Sequence, residues 1–118
     1  MSYQLTEQQF LEHFQNADFV LKTQEQIAKD FERLGYETPK SLREKAFSYD
    51  ELVDIVADLL IDVVKLGESQ TLQLLYTIDI PQSKFLALTT DLHFVTKGAE
   101  LIIKREAQKV YLRSQLSD

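Results

Sequence analysis

Four aspartates, Asp50, Asp54, Asp58 and Asp62, recur at every fourth position of FSYDELVDIVADLLIDVVKLG. Carboxylates in such a row could hold a hard cation, since calcium and magnesium take oxygen ligands. The partners for that chemistry are missing. Helical-bundle metal sites add a Glu-x-x-His motif, and calcium loops need glycine among closely alternating acids; neither pattern occurs here. The row therefore reads as the solvated edge of a helix. Like charges one turn apart repel by a few tenths of a kcal/mol each. Lys104, Arg105 or Lys109 of the last helix, or a basic partner, would relieve that repulsion.

Glu106 is the second candidate. On a helical wheel it lies between Ile102 and Val110, with Arg113 close to the same line. A carboxylate on an apolar face must be paired or hold its proton. It is either a poised acid, an interface ion pair, or a rim residue that snorkels or bonds one of Lys109 and Arg113. Glu106, Arg113, Asp54, Asp58 and Asp62 are thus the candidate interaction residues, and no catalytic residue or metal ligand is assigned. His13 and His93 sit beside Phe14 and Phe94, but no nucleophile or second histidine stands at a useful spacing. With three isolated glycines, no phosphate-binding loop or dinucleotide fingerprint can be written. No cofactor and no small-molecule ligand is implied.

Composition narrows the classes further. No cysteine is present, which excludes disulfide scaffolds, thiol nucleophiles and cysteine-ligated metals. MSYQLTEQQ lacks the pattern of a signal peptide, and no apolar run reaches the length of a membrane span. Cytoplasmic location is the expectation. The formal net charge is −6, concentrated in the first half. Residues 1–62 hold 13 acids and 6 bases, and residues 63–118 hold 6 acids and 7 bases. An acidic chain is repelled by phosphate backbones and anionic lipid. Residues 97–113, with five bases and two acids, could reverse that locally, but only Tyr111 offers a base-stacking ring.

The elements that position these residues read as helices. Ser48 and Glu51 form a capping box, Phe47 and Leu52 a hydrophobic staple, and Gly67 a terminator, so residues 48–66 form one helix. Its polar residues fill about a third of the circumference; the rest is Leu, Ile, Val or Ala, so other elements must wrap it. Thr6 and Gln9 cap an N-terminal helix. A single rod to Leu34 would span about 43 Å, more than a domain of this size accommodates. Thr23 and Gln26 offer a second start, so two helices, 6–16 and 23–35, with a bend near Asp18–Lys22, are expected. Residues 36–47 connect, with Ser41 and Glu44 capping a single turn.

Residues 69–78 fit a helix with Ser69 as cap; a β-hairpin over about 71–90 is the alternative, because Leu72, Leu74, Tyr76, Ile78 and Ile80 also alternate. Pro81 suits the first turn of a short helix. Gly98 weakens the last helix and moves its expected start to Thr96 or beyond.

The sequence therefore predicts a single all-α domain over 1–118, a compact bundle of four to six helices around helix 48–66. Expected core residues are Phe10, Phe14, Leu21, Phe31, Leu52, Val56, Leu59, Leu60, Val63, Leu75, Leu88, Ile102, Ile103 and Val110. Surplus apolar helix surface without a catalytic motif points to a non-enzymatic interaction or structural module, with a protein partner or a second copy, as a homodimer, covering the excess. The alternatives are a small metal-binding protein or enzyme using Asp, His or Glu, and nucleic-acid binding through the basic last helix.

Overall fold

A computed structural model describes residues 5–116, and six α-helices account for most of them: α1 (Glu7–His13), α2 (Ala17–Arg33), α3 (Tyr49–Lys65), α4 (Glu68–Ile78), α5 (Gln82–Leu86) and α6 (Phe94–Leu116). A single 3-10 turn covers Lys40–Arg43. No strand occurs among the described residues. The chain is an all-α bundle.

Two of the expected capping boxes form, at Thr6 and Ser48, whereas the short turn begins at Lys40 after Pro39 without the Ser41 cap. Thr6 Oγ1 accepts from Gln9 N and Gln9 Oε1 from Thr6 N; Ser48 and Glu51 do the same at α3. Gly67 ends α3 with φ +119°, a conformation that a side chain would strain.

The N-terminal break falls at residues 14–16, ahead of the expected 18–22, and the cap of the second helix lies seven residues early. Asn16, not Thr23, caps α2, its Oδ1 accepting from Asp18 N and Phe19 N. Thr23 is a buried interior residue whose hydroxyl donates back to Phe19 O at 2.9 Å. A Thr-x-x-Gln pattern inside a helix satisfies that carbonyl as readily as it caps a start. Phe10, Phe14 and Tyr49 stack at 4.9–5.7 Å between ring centres, clasping α1 against the start of α3.

Helix wins over hairpin at 69–78, because burial follows a spacing of three and four: Thr71, Leu74, Leu75 and Ile78 are buried, while Tyr76 is 89% exposed. Strand alternation would have placed Tyr76 inside with Leu74 and Ile78. Gly67, not Ser69, occupies the N-cap position of α4. At its other end Asp79 adopts the left-handed conformation (φ 70°) and Ile80 N donates to Leu75 O at 2.9 Å, closing a Schellman-type turn. Pro81 then leads into α5.

The centre is built by α3 and α6 together. The two pack along their lengths, and α6 also packs against α2. Leu52, Val53, Val56, Leu60 and Val63 of α3 are buried with Ala99, Ile102, Ile103 and Ala107 of α6. Gly98 permits the close approach, since a Cβ there would lie 2.8 Å from Leu60 Cδ2. That tertiary gain explains why α6 starts at Phe94, before the glycine. The remaining apolar side chains of α3, Ile55, Ala57, Leu59, Ile61 and Val64, are only half-buried. Of the expected core, Phe14, Leu21, Leu59, Leu88 and Val110 lie at its rim; Val20, Ile27, Ala28, Leu42, Val53, Leu74, Ile78, Ile80, Phe85, Ala99 and Ala107 join it instead.

Candidate functional site

α2 and α6 enclose a charged cluster. Glu106 is fully buried, and Asp30 of α2 is 1% exposed. Lys109 serves both: its Nζ lies 2.8 Å from Asp30 Oδ2 and 3.0 Å from Glu106 Oε1, and 3.4 Å from the Thr77 carbonyl at the end of α4. Neither Glu106 oxygen completes a hydrogen bond among the described residues. Read as a carboxylate, Glu106 would share the one Lys109 ammonium with the buried Asp30, two negative charges on one cation. Burial, and after it the Asp30 carboxylate beside it, push its pKa up to about 9 despite the Lys109 ammonium. Glu106 is accordingly a neutral acid at pH 7, able to donate its proton toward Asp30. One ammonium and one carboxylate then balance within the core, which a second buried negative charge would upset.

The cluster continues outward. Gln26 Nε2 donates to Asp30 Oδ1 at 3.0 Å, and Arg113 Nη2 donates to Gln26 Oε1. Arg113 is exposed and joins Gln26, so of the two bases expected beside Glu106 it is Lys109, not Arg113, that pairs with it. The intervening residue is Asp30, which sequence reasoning missed. Its signal was present: Asp30 falls three residues after Ile27 and beside Phe31, on the buried face of α2. Gln24 is a second buried polar residue that was missed. Its Nε2 donates to the carbonyls of Leu42 (3.0 Å) and Lys45 (2.8 Å), and its Oε1 accepts from Phe47 N at 2.8 Å. One amide thereby fixes the connector that leads into α3.

Asp54, Asp58 and Asp62 are all exposed on α3, as is Asp50. None forms an ion pair among the described residues, and the bases expected to face them are engaged elsewhere. Lys104 pairs with Glu7, Arg105 with Asp79, Lys109 with Asp30, and Lys97 with Asp91. With Arg113 on Gln26, all five bases of residues 97–113 are held within the chain. No three acids or histidines among the described residues gather as a metal-binding group. His13 is half-buried, 4.9 Å from the Phe19 ring and 5.3 Å from Tyr111. His93 is exposed, with its backbone N–H on Asp91 Oδ1 at 2.7 Å.

Besides a groove of about 520 Å³ along α6 past Lys84, Leu88, Lys97 and Leu101, three surface grooves bear on function. One of about 510 Å³ runs between α2 and α6, past His13, Phe19, Lys22, Glu25, Lys29 and Arg113, and carries both signs of charge. A second, of about 420 Å³, lies between α3 and residues 37–39. The third, about 360 Å³, is apolar and is framed by Val64, Leu72, Leu75, Phe85, Leu86 and Phe94; the Phe85 and Phe94 rings meet edge to face at 5.1 Å. None of the three is lined by Glu106, Asp30 or Lys109. The buried acid thus has proton-transfer chemistry but no approach for a substrate through these openings.

No family model, curated protein or solved structure matches this chain. No helix among the described residues is long and apolar enough to cross a membrane.

Proposed function

We propose that the chain is a non-enzymatic protein–protein interaction module that self-associates through the apolar groove of α4, α5 and the start of α6. The observation that carries this reading is the pairing of a cleft with a projecting apolar side chain on one short stretch. Phe85, Leu86 and Phe94 line the groove, and between them Leu92 stands 93% exposed, with Leu86 itself 54% exposed. A twofold interface requires one patch to serve as both knob and hole, and exposed apolar surface of this kind marks an interaction site.

Light scattering coupled to size-exclusion chromatography tests it. A dimer is expected for the native chain, and a monomer of unchanged melting temperature for Leu92→Asp. A native chain that stays monomeric over the accessible concentration range overturns the reading, as does a Leu92→Asp protein that remains dimeric. The internal engagement of the α6 bases supports this choice over a nucleic-acid role.

A further inference from the structure

We infer that the groove between α3 and residues 37–39 docks a basic amphipathic helix from a partner protein. Its floor is apolar, made by the half-buried Ile55 and Leu59 with Pro39. Its rim is acidic, made by Glu37, Asp58 and Asp62. None of these three carboxylates has an ion pair or hydrogen bond among the described residues, although the chain pairs all five bases of residues 97–113. Asp54 and Asp50 carry the row one and two turns further along α3.

The chemistry of the occupant follows from that layout. Asp54, Asp58 and Asp62 lie about 6 Å apart along the axis, at 1.5 Å per residue. Lysine or arginine at every fourth position of a facing helix has the same repeat, and an apolar side chain between them would meet Ile55 and Leu59. This is the helix-in-groove mode of recognition. The acid rim repels nucleic acid and anionic lipid and draws a cationic peptide by long-range attraction. A second copy is a poorer fit, because the basic row of α6 is occupied by its own chain. The inference is independent of the self-association proposed above, whose groove shares no lining residue with this one.

The test uses the full chain carrying Leu92→Asp, so that self-association does not contribute. The probe is a fluorescent synthetic helix of leucine, alanine and lysine, with lysine at every fourth position. Controls are the same composition in scrambled order and the same peptide with glutamate for lysine. Anisotropy should show saturable one-to-one binding of the amphipathic probe alone, weakening as salt rises. Asp58→Asn with Asp62→Asn should weaken it about tenfold, as loss of two rim charges implies. Leu59→Ser should weaken it too, whereas Asp18→Asn with Glu25→Gln, on another surface, should leave it unchanged. Absence of saturable binding at low ionic strength overturns the inference. So does equal binding of the scrambled peptide, or an undiminished affinity of the Asp58→Asn, Asp62→Asn protein. A dimer of the Leu92→Asp chain that dissociates on the two α3 substitutions would likewise overturn it, by making the occupant a second copy.

Discussion

Replacing Glu106 with glutamine should make the protein more stable, and increasingly so as pH rises. In the folded chain the Glu106 carboxyl holds its proton up to about pH 9; in the unfolded chain it releases it near 4.5. Between those values the folded state binds the extra proton, so unfolding becomes easier as pH increases. The slope for one such group approaches about 1.4 kcal/mol per pH unit. Over the interval from about pH 5.5 to 8.5 the ceiling is about 4 kcal/mol. Relaxation around a buried charge reduces it, so about 2 kcal/mol is the expected loss in the native protein. Against a total of 5–15 kcal/mol for an ordinary domain, that is readily measured. Glutamine has nearly the same shape, can donate to Asp30 and accept from Lys109, and does not titrate. Urea unfolding of both proteins at several pH values gives the difference directly. Every other titrating group is common to the two proteins and cancels in the difference, and the depressed carboxyls of Glu32, Glu51 and Asp91 lie below the window while Tyr49, raised by burial and by Glu100, lies above it. Parallel stability curves for the two proteins across that interval would refute the neutral-acid assignment.

Three further outcomes follow from single contacts. Gln24→Ala strands two carbonyls and one N–H of the connector, and should cost about 2–4 kcal/mol; hydrogen exchange at the Phe47 amide should accelerate beyond the global change. Gly98→Ala gains about 1 kcal/mol of helix propensity but places a methyl 2.8 Å from Leu60 Cδ2, so the overpacking penalty of about 1–3 kcal/mol dominates and the urea midpoint should fall. Glu32 is held at a pKa of about 2 by hydrogen bonds from Arg43 and Thr38, so its contribution is present above pH 4.5 and lost as pH falls toward 2. Arg43→Ala should flatten that acid limb in a thermal-denaturation series.

Much of the architecture was legible because helix boundaries are local chemistry. The two capping boxes and Gly67 announce themselves within four residues each. The choice between Asn16 and Thr23 was not local in the same way. Both are good cap residues, and what separates them is which one the packed helix can spare; Val20, Thr23 and Gln24 are needed inside. The start of α6 was misplaced for a related reason, since the penalty of Gly98 is visible in one residue and its benefit only in the approach of α3. At the site, the apolar neighbours of Glu106 showed that its carboxyl was unusual. Its partner Asp30 lies 76 positions away, and spacing along one helix says nothing about which residue another helix brings opposite. Of the two bases on its own helix that Glu106 was expected to meet, Lys109 reaches it at 3.0 Å and Arg113 does not; the contact with Asp30 crosses between helices.

The position of α6 between α2 and α3 has a bearing on how the chain is made. The segment that completes the interior is the last of the six helices to be synthesised. Until residues 94–110 have emerged, the inner faces of α2 and α3 have no lasting cover, and Asp30 lacks the ammonium that balances it. The nascent chain must therefore pass through a stage in which apolar helices are already exposed to the cytosolic or extracytosolic milieu without their organising strut, the stage at which chaperones act on other proteins. Acquisition of a stable structure waits on the synthesis of α6, and chains truncated before about residue 107 should be cleared by proteolysis, not accumulate as smaller folded forms.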